Sequence, residues 1–177
     1  MAKRVLLSKH PFSKIKNKRL RTDLYDALYF IAYLIEGIDR AKEKRYKEEF
    51  LRVIILYIAS VVEALCLFLV ESNSLILKKE ECSHIRQISM PGVSVETGQL
   101  VIAIQKDKDI KIRDLPFAEA IKVLSKNRKI SDTLYEKLNT LRTTRNTQHL
   151  YSRKNSSVSN DDVKNAYSSL DLLLKQI

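Results

Sequence analysis

A chain of 177 residues is the size of one domain and can bury a hydrophobic core without disulfide or metal staples. Three glycines and three prolines are too few for the many turns of a sandwich or barrel, whereas Leu, Ile, Lys, Ala, Glu and Arg abound, so a mainly all-α fold is expected. The net charge of +11 attracts polyanions, which directs attention to nucleic acid, an acidic partner or an anionic membrane surface.

Residues 1–21 carry eight Lys or Arg, no Asp or Glu, and a Pro11 that interrupts any helix; they are expected to form a basic N-terminal arm. Such an arm is either a solvated tail or an electrostatic contact to phosphates. The remainder, residues 22–177, reads as a single helical domain. Thr22 or Asp23 is a candidate cap for a first helix, in which Leu24, Ala27, Leu28, Ile31, Leu34, Ile35 and Ile38 follow the helical period. After a charged stretch at 39–49 comes an almost wholly apolar run at 53–70. Its length raises the question of a membrane span, but Glu63 near its middle would be costly in lipid, and the centre of a bundle needs the same composition. The expectation is a buried central helix and no membrane. Ser60 and Glu63 form a polar spot on it that demands a partner.

Residues 72–115 are the least patterned. Segments 100–105 and 110–113, separated by Lys-Asp-Lys-Asp, suggest a small β-hairpin insertion around 99–114, with short helices as the alternative. Asp114 and Pro116 open a helix over 117–125, and Ser131 or Asp132 caps another reaching about Leu150. A polar loop at 152–160 precedes a last helix whose Ala166, Leu170, Leu173 and Leu174 face inward.

Chemistry concentrates on the helix beginning near Asp132. Leu134, Leu138 and Leu141 form an apolar stripe, and Arg145 falls only about 20° from Leu134 around the axis. His149 lies about 60° and Arg142 about 80° from the same reference. Two guanidinium groups and an imidazole therefore continue a core-facing surface, which requires a carboxylate, a cleft, an anion or a second subunit opposite them. Arginine offers a planar fork to phosphate and histidine moves protons near neutral pH, a pairing suited to phosphoryl chemistry on RNA. The plain alternative is that both arginines answer Glu63 or surface acids. His10 and His84 have no companions at catalytic spacing. Cys66 and Cys82 form no Cys-x-x-Cys pair, and no ligand cluster, glycine-rich phosphate loop or Ser-His-Asp framework is visible, so no metal or cofactor is expected. The N-terminus lacks the apolar run of a signal peptide; reduced thiols and a cytoplasmic location are expected.

The segment Leu141-Arg142-Thr143-Thr144-Arg145-Asn146-Thr147-Gln148-His149-Leu150 resembles the signature of the HEPN superfamily of small helical-bundle proteins, an arginine, often followed by Asn, then four to six residues and a histidine. Counted from Arg142 the gap to His149 is six residues; counted from Arg145, which is followed by Asn146, it is three. The apolar run around Tyr57, Ser60 and Glu63 is similar to that family's long hydrophobic helix, which brings a polar or acidic residue towards the motif. The resemblance implies an antiparallel helical bundle and a homodimer in which two copies of the motif form one metal-independent endoribonuclease site. His149 would assist attack of a ribose 2′-hydroxyl, Arg142 or Arg145 would steady the developing charge, and Asn146, Glu63 and Ser60 would support them. His149-Leu150-Tyr151 is similar to the ending of HEPN toxins whose tyrosine is modified by a nucleotidyltransferase antitoxin, which implies a role as a toxin or in phage defence, with Tyr151 as a regulatory site and an antitoxin as a partner. The alternative is a non-catalytic RNA-binding or protein-interaction module of the same fold.

Overall fold

The computed structural model describes residues 11–75, 78–84, 103–109, 111–148 and 157–177. Among these, five α-helices form a bundle: α1 (Lys18–Arg40), α2 (Lys44–Ser72), α3 (Phe117–Lys126), α4 (Asp132–Thr147) and α5 (Asn160–Leu174). A two-stranded antiparallel ribbon, β1 (Lys78–His84) with β2 (Ala103–Asp109), lies between α2 and α3 in the chain.

The helical part of the basic arm starts earlier than its charge suggests. Asn17 is the cap of α1, its Oδ1 accepting from the Leu20 amide at 3.1 Å, so neither Thr22 nor Asp23 starts the helix. Upstream, Phe12 and Ile15 are completely buried, and Phe12 meets Tyr25 edge to face at a centroid distance of 5.1 Å. Residues 11–21 therefore belong to the folded unit, and the boundary expected after residue 21 is corrected: two apolar side chains among many cations are enough to fasten the segment. Met1–His10 lie outside the described residues.

Leu24, Leu28, Ile31 and Leu34 give α1 its core face, which lies against α2. The connection to α2 is only residues 41–43 long, short enough to fold the second helix back along the first. Eleven buried residues, Leu51 to Val70, line α2 on more than one side, because α1, α3, α4 and α5 all pack against it. By length and composition α2 could cross a membrane; here its apolar girth fills the centre of the bundle.

Both α2 and α3 end in Schellman motifs. Leu75 donates to the Val70 carbonyl and Ser74 to Glu71, and likewise Lys129 donates to Leu124 and Arg128 to Ser125. The left-handed positions are Ser74 (φ 51°) and Arg128 (φ 54°), where glycine would be the ordinary choice.

The ribbon differs from the hairpin expected locally. Residues 106–109, anticipated as the turn, are inside β2, whose partner is β1, with Lys78 opposite Asp109 and His84 opposite Ala103. Ile112–Asp114 is a 3₁₀ turn that delivers the buried Leu115 and the Pro116 cap to α3. Phe117, Ala120, Ile121 and Leu124 then face the core. Ser131 caps α4 through the Leu134 amide at 3.3 Å, and Leu134, Leu138 and Leu141 are its buried stripe. A reciprocal capping box opens α5: the Asp162 amide donates to Ser159 Oγ and the Ser159 amide to Asp162 Oδ2. Ala166, Leu170 and Leu173 are buried as expected, while Leu174 is half-buried.

Candidate functional site

The leucine stripe of α4 holds that helix against α2, α3 and α5, and its last turns bring two arginines to the edge of the core. Arg145 meets the central helix there. Its Nη2 lies 3.3 Å from Glu63 Oε2, and the two side chains are 28% and 25% exposed. The carboxylate that breaks the apolar run of α2 is thus matched by the guanidinium that ends the stripe of α4, which lowers the cost of seating either charge beside a core. Glu63 also acts on its own helix: burial first, and then the Glu63 charge, push the Cys66 thiol up to about 12.

Ser60 does not join this pair. It is exposed, and its hydroxyl donates to the Leu56 carbonyl at 2.9 Å, so the polar spot expected on α2 is divided between a solvent-facing hydroxyl and an ion-paired carboxylate. Arg142 is half-buried on the side of α4 nearer to α3, where its charge acts on Lys122. Its Nε is shielded from solvent and finds no acceptor among the described residues. Asn146 is exposed, one turn on from Arg142 on the same side of the helix and about 100° around from Arg145.

The helix extends to Thr147, and Gln148 is its cap, donating its amide to the Arg145 carbonyl at 3.1 Å. Gln148 is a polar residue that the sequence pattern did not mark. It is only 5% exposed, its Nε2 donates to Thr147 Oγ1 at 2.9 Å, and its Oε1 accepts nothing among the described residues. Thr147 Oγ1 in turn donates to the Thr144 carbonyl at 2.7 Å. These local bonds tie off the end of the helix at Thr147 and Gln148. His149 and Tyr151 lie outside the described residues.

A cleft of about 250 Å³ runs between α4 and α5, walled by Lys137, Thr140, Leu141, Thr144, Asn165 and Ser169. Neither Arg142 nor Arg145 lines it; the Thr140 hydroxyl donates to its own helix, and the Ser169 hydroxyl reaches the Asn165 carbonyl at 3.0 Å and, across the cleft, the Lys137 carbonyl at 3.5 Å. Among the described residues no three His, Cys, Asp or Glu side chains gather in a group able to hold a metal ion. In comparison with known proteins, the chain matches no protein-family model, no curated protein and no solved structure.

Proposed function

We propose that this chain is a metal-independent RNA endonuclease of the HEPN type, acting as a homodimer, with Arg142 and His149 at the reacting phosphate and Arg145 as a positioning residue. The observation that carries this reading is the division of labour between the two arginines. Arg145 is occupied by Glu63 at 3.3 Å, whereas Arg142 keeps a shielded Nε with no acceptor among the described residues and stands six residues before His149, the spacing of the resembled motif. The ion pair fastens α4 to α2 and so sets the approach of the whole motif.

In the proposed reaction the nucleophile is the ribose 2′-hydroxyl of the RNA itself. His149 takes its proton, the oxygen attacks the adjacent phosphorus, and the bond to the 5′-oxygen breaks as that oxygen takes a proton from water, yielding a 2′,3′-cyclic phosphate and a 5′-hydroxyl; the hydroxide left behind is neutralised by the proton on His149. The fork of Arg142 bears the charge that builds on the phosphate oxygens. A second copy of the chain would place two such sets together, and the positive net charge would draw the RNA in. A toxin or phage-defence role, held in check by an antitoxin that acts on Tyr151, is the biological setting we propose.

The Glu63–Arg145 pair also supports a second reading, in which the motif arginines serve the fold and the chain binds RNA or a protein partner without cutting it. Cleavage of RNA in EDTA separates the two. Wild-type protein is expected to leave 2′,3′-cyclic ends. His149→Ala and Arg142→Ala are expected to lose at least about 100-fold in rate, the scale of a general acid–base or charge-stabilising group, with unfolding midpoints little changed. Equal rates in wild type and His149→Ala would refute the nuclease.

A further inference from the structure

The outer face of α1 is not built like an ordinary solvated helix surface. At about 100° per residue, Arg19, Tyr29, Phe30, Tyr33, Gly37 and Arg40 share one sector of about 100°, opposite Leu24, Leu28 and Ile31, and Asp26 is the one carboxylate in it. Tyr29 and Tyr33 are 70% and 64% exposed, an uncommon display of ring surface for a residue type that is usually at least partly buried. Phe30 sits between Tyr33, stacked at 6.3 Å with planes 23° apart, and Tyr57 of α2, tilted at 4.7 Å. Tyr33, Phe30 and Tyr57 thus form a short ladder across the two longest helices, and Tyr29 stands exposed one turn before Tyr33 on α1.

Each end of this face carries features that suit a nucleic acid strand. Towards the C-terminus of α1 an open cleft of about 360 Å³ is lined by Tyr33, Gly37, Arg40, Ala41, Tyr46 and Phe50, a volume within the range of small-ligand sites. A Cβ on Gly37 would come within 2.9 Å of the Phe50 ring, so glycine is what allows the ring to approach there. Arg40 stands at the rim, leaning on Glu36 at 3.5 Å in an exposed pair too weak to keep it from a phosphate. Towards the N-terminus, Lys14, Lys16, Lys18 and Arg19 are all exposed, with no acid before Asp23. Arg19 and Tyr29 are about 15 Å apart along the axis.

Cations flanking exposed rings fit a strand whose phosphates follow the charges while its bases stack on the rings; protein interfaces share such Tyr, Phe and Arg residues but are depleted in lysine, and three exposed lysines lead into this helix. Only unpaired bases offer a free face to such rings. We propose that the α1–α2 face binds single-stranded RNA, with bases stacked on Tyr29 and Tyr33, Phe30 backing Tyr33, one base in the cleft floored by Gly37, and phosphates held by Lys14, Lys16, Lys18, Arg19 and Arg40. The choice of RNA over another single strand rests on the nuclease reading above; the stacking surface rests on its own geometry.

Binding is measured with a labelled, unstructured pyrimidine RNA of roughly 12 nucleotides, a length within known single-strand site sizes, on the His149→Ala protein so that cleavage cannot interfere. Tyr29→Ala/Tyr33→Ala is expected to raise Kd at least about 10-fold, and Tyr29→Phe/Tyr33→Phe, which keeps both rings, to stay within about threefold of the parent. The same sequence as a duplex is expected to bind more weakly than the single strand. Unchanged affinity in the alanine pair overturns the proposal. So does an alanine pair that dissociates a dimer in sedimentation while binding RNA as before, since the face would then be a protein interface. The two readings fail separately: His149-dependent cleavage with unchanged affinity in the alanine pair refutes the stacking surface alone, whereas ring-dependent binding by a wild-type protein that never cuts refutes the nuclease alone.

Discussion

Breaking the Glu63–Arg145 pair tests how the bundle holds its motif helix. Two unit charges 3.3 Å apart attract by about 5 kcal/mol at an effective dielectric near 20, but desolvation and the ordering of two long side chains cancel most of that. Exposed pairs net about 0–1 kcal/mol, and removing one partner of a fully buried pair costs about 3–5 kcal/mol. With both groups about three-quarters shielded, the coupling is expected at about 1–2 kcal/mol. Glu63→Gln, Arg145→Met and the double variant form a thermodynamic cycle, and methionine retains much of the apolar stem that arginine packs against its neighbours. Each single variant should lower Tm by roughly 2–4 °C per kcal/mol lost, and the double variant should be less unstable than the sum of the two. Urea unfolding at low salt reads the coupling directly. A value below about 0.5 kcal/mol would show that the pair is not what fixes α4 on α2, and the assignment of Arg145 to positioning would fall with it.

Two further outcomes follow from single residues. Arg128 holds a left-handed φ of 54° at the end of α3, and Arg128→Gly should stabilise the chain by about 0.5–1 kcal/mol; a lower urea midpoint would mean that the arginine makes a compensating contact. Cys66 ionises near 9 when exposed but is pushed up to about 12 by burial and by Glu63, so above pH 9 the unfolded chain releases a proton that the folded chain keeps. Its contribution is therefore complete below pH 9 and is lost as pH rises towards 12, at up to about 1.4 kcal/mol per pH unit. Cys66→Ala should show a shallower alkaline loss in urea midpoints measured from pH 7 to pH 10.5, and parallel curves for the two proteins would contradict this.

Periodicity was readable wherever one element decides its own burial. The stripe of α1, the apolar girth of α2, the Ser131 cap and the inward positions of α5 all depend on local pattern and on capping chemistry that a few neighbours specify. What failed depends on partners far away in the chain. Phe12 and Ile15 look like strays in a cationic tail until α1 and its surroundings bury them. Segment 103–109 pairs with 78–84, while the pattern favoured its immediate neighbour, because sequence proximity is the only pairing signal a single chain offers. In the candidate site, a carboxylate on an apolar helix and an arginine ending an apolar stripe each demanded a partner, and they found each other. Ser60 looked equally needy but satisfied itself on the preceding turn, an option open to any helical hydroxyl. The end of α4 at Thr147 had no glycine or proline to announce it.

The short connection between α1 and α2 bears on how the chain is made. A pair of helices joined by residues 41–43 has only local contacts to form and can fold as soon as both have left the ribosome. The other covers of α2 are encoded much later: at about 5–20 residues per second, the stretch from Asn73 to Pro116 takes roughly 2–9 s to synthesise before α3 even begins. For that interval the greasiest helix of the protein is finished but half clothed, and chaperone demand during translation should peak there.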